Sequence, residues 1–140
     1  MEEPNVQLAV PFFRVRDMAV SQRFYVDGLG FRMTKHWYHE GAVRWCWLEL
    51  GAVAVMLQQG LPEQPVGGAG VAISFQCRDA LAIYREARAR GVEAEEPFVG
   101  NGMWVTVMLD PDGYRLEFES LTDVAEETKL GEWAGGSEEH

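Results

Sequence analysis

One stretch of this chain occurs twice. Arg16-Asp17-Met18 through Phe24-Tyr25 to Leu29-Gly30-Phe31 returns about sixty residues later as Arg78-Asp79-Ala80 through Tyr84 to Arg90-Gly91-Val92. The copies differ slightly in length: Asp17 to Gly30 spans 13 positions, Asp79 to Gly91 spans 12. The segments after them repeat as well, Trp45 to Leu57 reading like Trp104 to Phe118, each a strand, a tight turn and a second strand. Repetition at this spacing marks two copies of one small unit facing each other, neither able to bury its apolar face alone. The whole chain of 140 residues is one domain's worth, while halves of this size are marginal, so they share a core or pair with those of a second chain. The space between facing copies is a natural ligand site.

Within each copy the pattern is legible. Residues 8–15 read as a strand, and Asp17 is placed to cap a helix by accepting from free amides of its first turn. That helix ends at Gly28 and Gly30, where a left-handed residue costs little. Phe31 to Glu40, Val43 to Leu50 and Val53 to Gln59 are three strands, with Gly51-Ala52 turning the last pair. Residues 60–70, with two Pro and four Gly, are a linker. The second copy opens with a strand at Val71–Cys77. Asp79 then caps a helix carrying Ala80, Ile83, Tyr84 and Ala87 at helical spacing, stopped by Gly91. Val92–Phe98 reads as a strand, and Trp104–Leu109 and Tyr114–Ser120 as a hairpin about Asp110-Pro111-Asp112-Gly113. The expected architecture is a single α+β domain over 1–140. It comprises βαβββ modules 8–59 and 71–120, linker 60–70 and an acidic tail 121–140. Leu130 and Trp133 are expected to pin the first part of that tail to the body or to a partner, and its end to be loose.

A net charge of −10 is the wrong sign for non-specific nucleic-acid binding or attraction to anionic lipid. No apolar run approaches the twenty or so residues needed to span a bilayer. Cys46 and Cys77 lie in apolar strands at no zinc-binding spacing and read as buried thiols of a reducing compartment. Met-Glu-Glu-Pro has neither a basic start nor an apolar stretch. A cytoplasmic location is expected.

The duplicated βαβββ unit, the capping aspartate followed by Phe-Tyr and Leu-Gly-Phe, and Asp-Pro-Asp-Gly-Tyr before Leu-Glu-Phe resemble the vicinal oxygen chelate superfamily over about residues 8–120. That superfamily holds glyoxalase I, extradiol dioxygenases, fosfomycin-resistance enzymes and bleomycin resistance proteins. The resemblance implies two curved mixed sheets around a cup, and a homodimer. In the metal-dependent members, ligands come from the first and last strands of each copy. The matching positions here are Val10, Met56, Ala72 and Glu117, three of which offer no hard donor to a divalent ion. His36 and His39 do not substitute, because strand positions three apart point to opposite faces. Neither a metal nor another cofactor is expected, and the likeness is closest to the bleomycin-resistance branch, with its link to antibiotic resistance.

Period-two alternation sorts the strands by face. Phe13, Val15, Val53, Val55, Leu57, Ile73, Phe75, Cys77, Leu116 and Phe118 go beneath the helices. The cup receives Val10, Phe12, Arg14, Trp45, Trp47, Glu49, Ala54, Met56, Gln58, Ala72, Ser74, Gln76, Arg115, Glu117 and Glu119, with Trp104, Thr106 and Met108 from the second hairpin. An apolar, Trp- and Met-rich concavity with sparse polar groups suits a bulky aromatic or cationic molecule. The same residues also fit a core between the halves or a dimer interface. The expected ligand contacts are Phe12, Trp45, Trp47, Met56, Gln58, Ser74, Gln76, Trp104, Met108 and Glu117. Glu117 needs a partner: Arg14, Gln58 or the ligand's cation, Arg115 being nearly collinear on the same strand. The favoured function is metal-independent binding or sequestration of such a molecule. The alternative is a lyase, isomerase or dioxygenase of the glyoxalase type with an atypical metal site, in which Glu117 is the general base.

Overall fold

The computed structural model describes residues 4–133. Two four-stranded sheets, one per copy, are built alike. The first contains β1 (Phe12–Val15), β2 (Arg32–His39), β3 (Ala42–Leu50) and β4 (Val53–Gln59) in the order β1-β4-β3-β2. The second contains β5 (Ala72–Gln76), β6 (Phe98–Gly100), β7 (Met103–Leu109) and β8 (Arg115–Leu121) in the order β5-β8-β7-β6. In each, the first strand pairs parallel with the last and the other pairings are antiparallel. The fold is thus α+β, two βαβββ modules with mixed sheets.

Both helices start as their aspartates dictate. Asp17 accepts from the amides of Ala19 and Val20 at the head of α1 (Met18–Gln22), and Asp79 from that of Ala82 in α2 (Ala80–Ala89). Each helix start is also tied to the last strand of its own module. The Met18 amide donates to Gln59 Oε1 at 3.0 Å, and the Ala80 amide to Ser120 Oγ at 2.8 Å. The extra residue of the first copy is absorbed by a change of helix type, since Arg23–Gly28 continue α1 as a π-helical turn. Such wider turns are how an α-helix accommodates one inserted residue. Gly28, at the end of that turn, lies so close to the segment after α2 that a Cβ would come within 2.7 Å of Val92 Cγ2.

The two modules share one core. Phe13, Val15, Met18, Tyr25, Phe31, Cys46, Leu48, Val55 and Leu57 of the first are buried together with Phe75, Ala87, Met108, Leu116 and Phe118 of the second. Sharing within one chain answers the marginal size of each half. A smaller cluster of Ala80, Leu81, Val99, Trp104 and Leu130 lies under the second module's helix, with Trp133 packed against it. Leu130 and Trp133 therefore pin the tail to the body. Residues 127–130 run beside β6, with Val99 N–H donating to Thr128 O and Glu127 N–H to Val99 O. The expected looseness of the tail's end falls outside the described residues.

Two expected strands are shorter. Residues 8–11 lie outside β1, because Pro11 has no N–H to continue the ladder, although its carbonyl accepts from Met56 N at 2.9 Å. In Val92–Phe98 only the last residue is strand. Pro97 interrupts it, and ahead of the Phe98–Val105 pair Glu95 N–H donates to Val107 O of β7.

Candidate functional site

The residues before β1 run past the free edge of β5, and a cleft of about 490 Å3 opens between them. Leu8, Ala9, Val10 and Pro11 line one side, and Ile73, Ser74 and Phe75 another. The third wall is the β3–β4 hairpin: Trp47, Glu49, and Gly51 to Ala54. The volume lies in the range of small-molecule pockets, and the lining is largely apolar, as such pockets are. Trp47 donates from Nε1 to Glu49 Oε2 at 2.8 Å, while Lys35 Nζ lies 4.8 Å from the centre of its ring.

A second cleft of about 310 Å3 lies along the linker, lined by Phe12, Arg14, Gln58, Pro65, Gly67 and Tyr114. The expected ligand residues are therefore divided. Trp47 and Ser74 reach the larger cleft, and Phe12 and Gln58 the smaller. Trp45, Met56, Gln76 and Glu117 share those sheet faces without lining either cleft. Cross-strand register fixes this: Trp47 opposes Met56, Trp45 opposes Gln58, Met56 lies beside Phe12, and Glu117 beside Ser74.

Trp104 and Met108 do not belong to this surface. They oppose Ser120 and Leu116, are 4% and 1% exposed, and sit under α2 with Thr106, whose hydroxyl donates to Ala80 O at 2.9 Å. Val105, Val107 and Leu109 hold the other face of β7, opposite Glu119, Glu117 and Arg115. The reason is the length of the connection. In the first hairpin Leu50 pairs with Val53 across two residues, whereas in the second Leu109 pairs with Arg115 across five. That change of parity puts Trp104 on the face opposite to Trp45, and a strand apolar on both faces gives no alternation by which to see it.

The polar groups are paired in ways that residue types alone left open. Glu117 takes the Nε–H of Arg115 at 2.6 Å, so the collinear arginine does reach it. Arg14, the expected alternative, instead donates to Pro65 O at 3.4 Å. Glu119 Oε1 accepts from Ser74 Oγ at 2.6 Å and Gln76 Nε2 at 2.9 Å. Alternation puts Glu49 on the cup face, though it is not among the expected ligand contacts. It lines the larger cleft directly.

The donor set at the family's metal positions does not fit a divalent ion. Val10, Met56 and Ala72 bring no oxygen or nitrogen, Ser74 beside Glu117 is committed to Glu119, and Glu117 itself is ion-paired. Among the described residues no three His, Cys, Asp or Glu side chains come together in a way that could hold a metal. His39 stacks on Trp37 at 5.1 Å, and His36 packs beside Tyr38 on the other face.

A different polar cluster joins the two modules, from β1 and the first helix to the β7–β8 turn. Asp110, 4% exposed, accepts from Tyr25 Oη at 2.7 Å and from the amides of Asp112 and Tyr114 at 2.9 Å each. Burial raises its carboxyl above the ordinary 3.8 despite these bonds, and burial together with Asp110 pushes the Tyr25 hydroxyl far above its ordinary value. Asp112 accepts from the Arg16 amide at 3.1 Å, and Tyr114 stacks on Phe13 at 4.2 Å while its hydroxyl donates to Arg14 O at 2.9 Å. The Cys46 thiol is fully buried and raised by that burial, the state of an unreactive structural cysteine. No helix among the described residues is long and apolar enough to cross a membrane.

Residues 7–118 match the family described as the Glyoxalase/Bleomycin resistance protein/Dioxygenase superfamily. No curated protein sequence matches the chain. Among solved structures, similar folds include TnmS3, an antibiotic binding protein from Streptomyces sp. CB03234, at 19% identity and a TM-score of 0.67, covering 86% of this chain and 100% of that one. TioX from Micromonospora sp. ML1 is similar at 20% identity and a TM-score of 0.67, over 83% and 99% of the two chains. A glyoxalase/bleomycin resistance protein/dioxygenase from Nocardioides gives 17% identity and a TM-score of 0.67, over 89% of each.

Proposed function

Because the chain belongs to the Glyoxalase/Bleomycin resistance protein/Dioxygenase superfamily, a fold that hosts many chemistries, we propose from the site itself that it binds a bulky aromatic or cationic small molecule without a catalytic metal. The observation that carries this is the cleft of about 490 Å3 between residues 8–11, the β3–β4 hairpin and β5, walled by apolar groups and Trp47, beside metal positions filled by Val10, Met56 and Ala72. An apolar body enters such a cleft by shedding water from both surfaces. Trp45, Met56, Gln58, Phe12, Ser74, Gln76 and Glu117 extend the contact along the concave faces. TnmS3, of like fold, is described as an antibiotic binding protein, and sequestration of a drug is the corresponding role for this chain.

The test is titration of intrinsic Trp fluorescence with bleomycin-type antibiotics and a panel of planar cations. Saturable quenching by at least one is expected, and silence across the panel sinks the reading. Elemental analysis of protein purified without chelators is expected to find no stoichiometric divalent ion. Finding one favours the lyase, isomerase or dioxygenase alternative, with Glu117 as base.

A homodimer accompanies this reading. Residues 127–130 cover the β6 edge, but β2 is exposed along its whole length, with Trp37 52% and Tyr38 61% exposed. A bare aromatic edge strand invites covering by a second copy. Light scattering is expected to give twice the chain mass of 15.8 kDa, and a value near 15.8 kDa rules the dimer out.

A further inference from the structure

We infer that Glu49 selects the charge of the ligand, so that the cleft takes a cation, an amine or amidinium carried on an apolar body, and rejects an anion of the same shape. This rests on the reading of the cleft as a ligand site. Among the residues that line the cleft, Glu49 is the one ionisable side chain. Its carboxylate is held in place, because the Trp47 indole N–H donates to Oε2 at 2.8 Å, while Oε1 receives no hydrogen bond among the described residues.

Its charge is also unspent. Arg32 is its cross-strand neighbour, yet no salt bridge joins them, and none to Glu49 forms among the described residues. Lys35, the other nearby cation, lies over the Trp47 ring. Two more carboxylates lie nearby on β8, and neither lines the cleft: Glu117 is ion-paired with the Arg115 guanidinium, and Glu119 accepts from Ser74 and Gln76 through Oε1.

A ligand that fills the cleft strips water from Glu49, and a desolvated carboxylate is costly unless a cation or donor replaces the water. An ammonium or amidinium on the ligand supplies that replacement as a charge-assisted hydrogen bond to the free oxygen. A carboxylate at the same place leaves two facing negative charges. Apolar groups at Val10, Pro11, Val53 and Ala54 receive the rest of the molecule.

Calorimetric titration of the full chain with aminoacridinium and with anthracene carboxylate, three-ring compounds of opposite charge, reads this directly. The cation is expected to bind at least about tenfold more tightly, the size of one charge-assisted hydrogen bond. Glu49→Gln keeps an acceptor for Trp47. It should weaken the cation about tenfold, leave the anion no weaker and leave the thermal melt unchanged. Glu86→Gln, the same charge change on the exposed face of α2, should do nothing. Equal binding of the two compounds overturns the inference even if the variant fails to fold, as does equal loss in both variants, or loss in Glu117→Gln in place of Glu49→Gln. Each of these leaves the ligand cleft standing. Failure of both compounds to bind removes the inference and counts against the cleft itself.

Discussion

The turn between β7 and β8 and the turn between β3 and β4 hold equivalent places in the two modules and do opposite things. Asp110 to Tyr114 reach across to the first module: carboxylates accept from Tyr25, Ser21 and the Arg16 amide, and the Tyr114 ring lies on Phe13. Even the linker is drawn in, for a Cβ on Gly67 (φ +90°) would meet Asp112 O at 2.8 Å. Gly51 and Ala52 reach nothing in that way. Among the described residues no side-chain hydrogen bond leaves them, and they border the larger cleft instead. A duplicated fold offers the same seam twice. Here one copy of the seam holds the modules together, which frees the other to stay open.

That contrast can be broken by substitution. The largest effect is expected from Tyr114→Ala, which removes the stacking on Phe13 and the bond to Arg14 O and should cost about 3 kcal/mol in denaturant unfolding. Val53→Ala at the open seam, 42% exposed, should cost about 1 kcal/mol or less. If the two cost the same, the seams are equivalent and the comparison fails. Next comes Tyr25→Phe. It leaves the ring packing intact and removes one donor to the buried Asp110, for a loss of about 1–3 kcal/mol at neutral pH.

The sealed seam should also report itself through pH. Asp110 has its carboxyl raised by burial above 3.8, so the folded state holds this proton more tightly than the unfolded chain does. Its contribution is therefore fully present below 3.8 and is lost as pH rises through the higher folded value. The melting temperature of the protein minus that of Asp110→Asn should fall as pH is raised through that window. A difference that climbs instead would show that the hydrogen bonds from Tyr25 and the amides outweigh burial. The smallest change in stability belongs to the open side. Ala54→Trp fills cleft space rather than core, and should shift unfolding by no more than about 0.5 kcal/mol while abolishing the fluorescence response to any ligand of the cleft.

Local physics makes much of this legible along the chain itself. Asp17 and Asp79 cap because a carboxylate at that point satisfies free amides of the first turn wherever the helix sits. Gly30 and Gly91, at φ +89° and +83°, end their helices because glycine adopts that region without strain. The family likeness, the mixed sheets and the placement of Trp45, Trp47, Met56 and Glu117 on the sheet faces away from the buried Cys46, Leu48, Leu57 and Phe118 follow from a repeat and from alternation, both written along the chain. The one-residue mismatch between copies was visible as well, though not its form as a π-helical turn at Arg23–Gly28.

Other features depend on pairs of residues far apart in sequence. The face of Trp104 and Met108 was set by the five-residue connection to β8, since β7 is apolar on both sides and carries no phase of its own. The partners of Glu117 and Glu119 were chosen by which donors the register brings within reach, and a two-residue step along β8 proved short enough for Arg115. Sequence alone determined that two modules exist, where each helix begins and which residue types are missing for a metal. Tertiary structure decided that the modules share one core within a chain, that one seam closes while the other opens, and that Glu49 lines the gap with no ion pair among the described residues. Caps, turns and alternation are contacts between neighbours along the chain, whereas a cleft is defined by segments that the chain brings together only once it has folded.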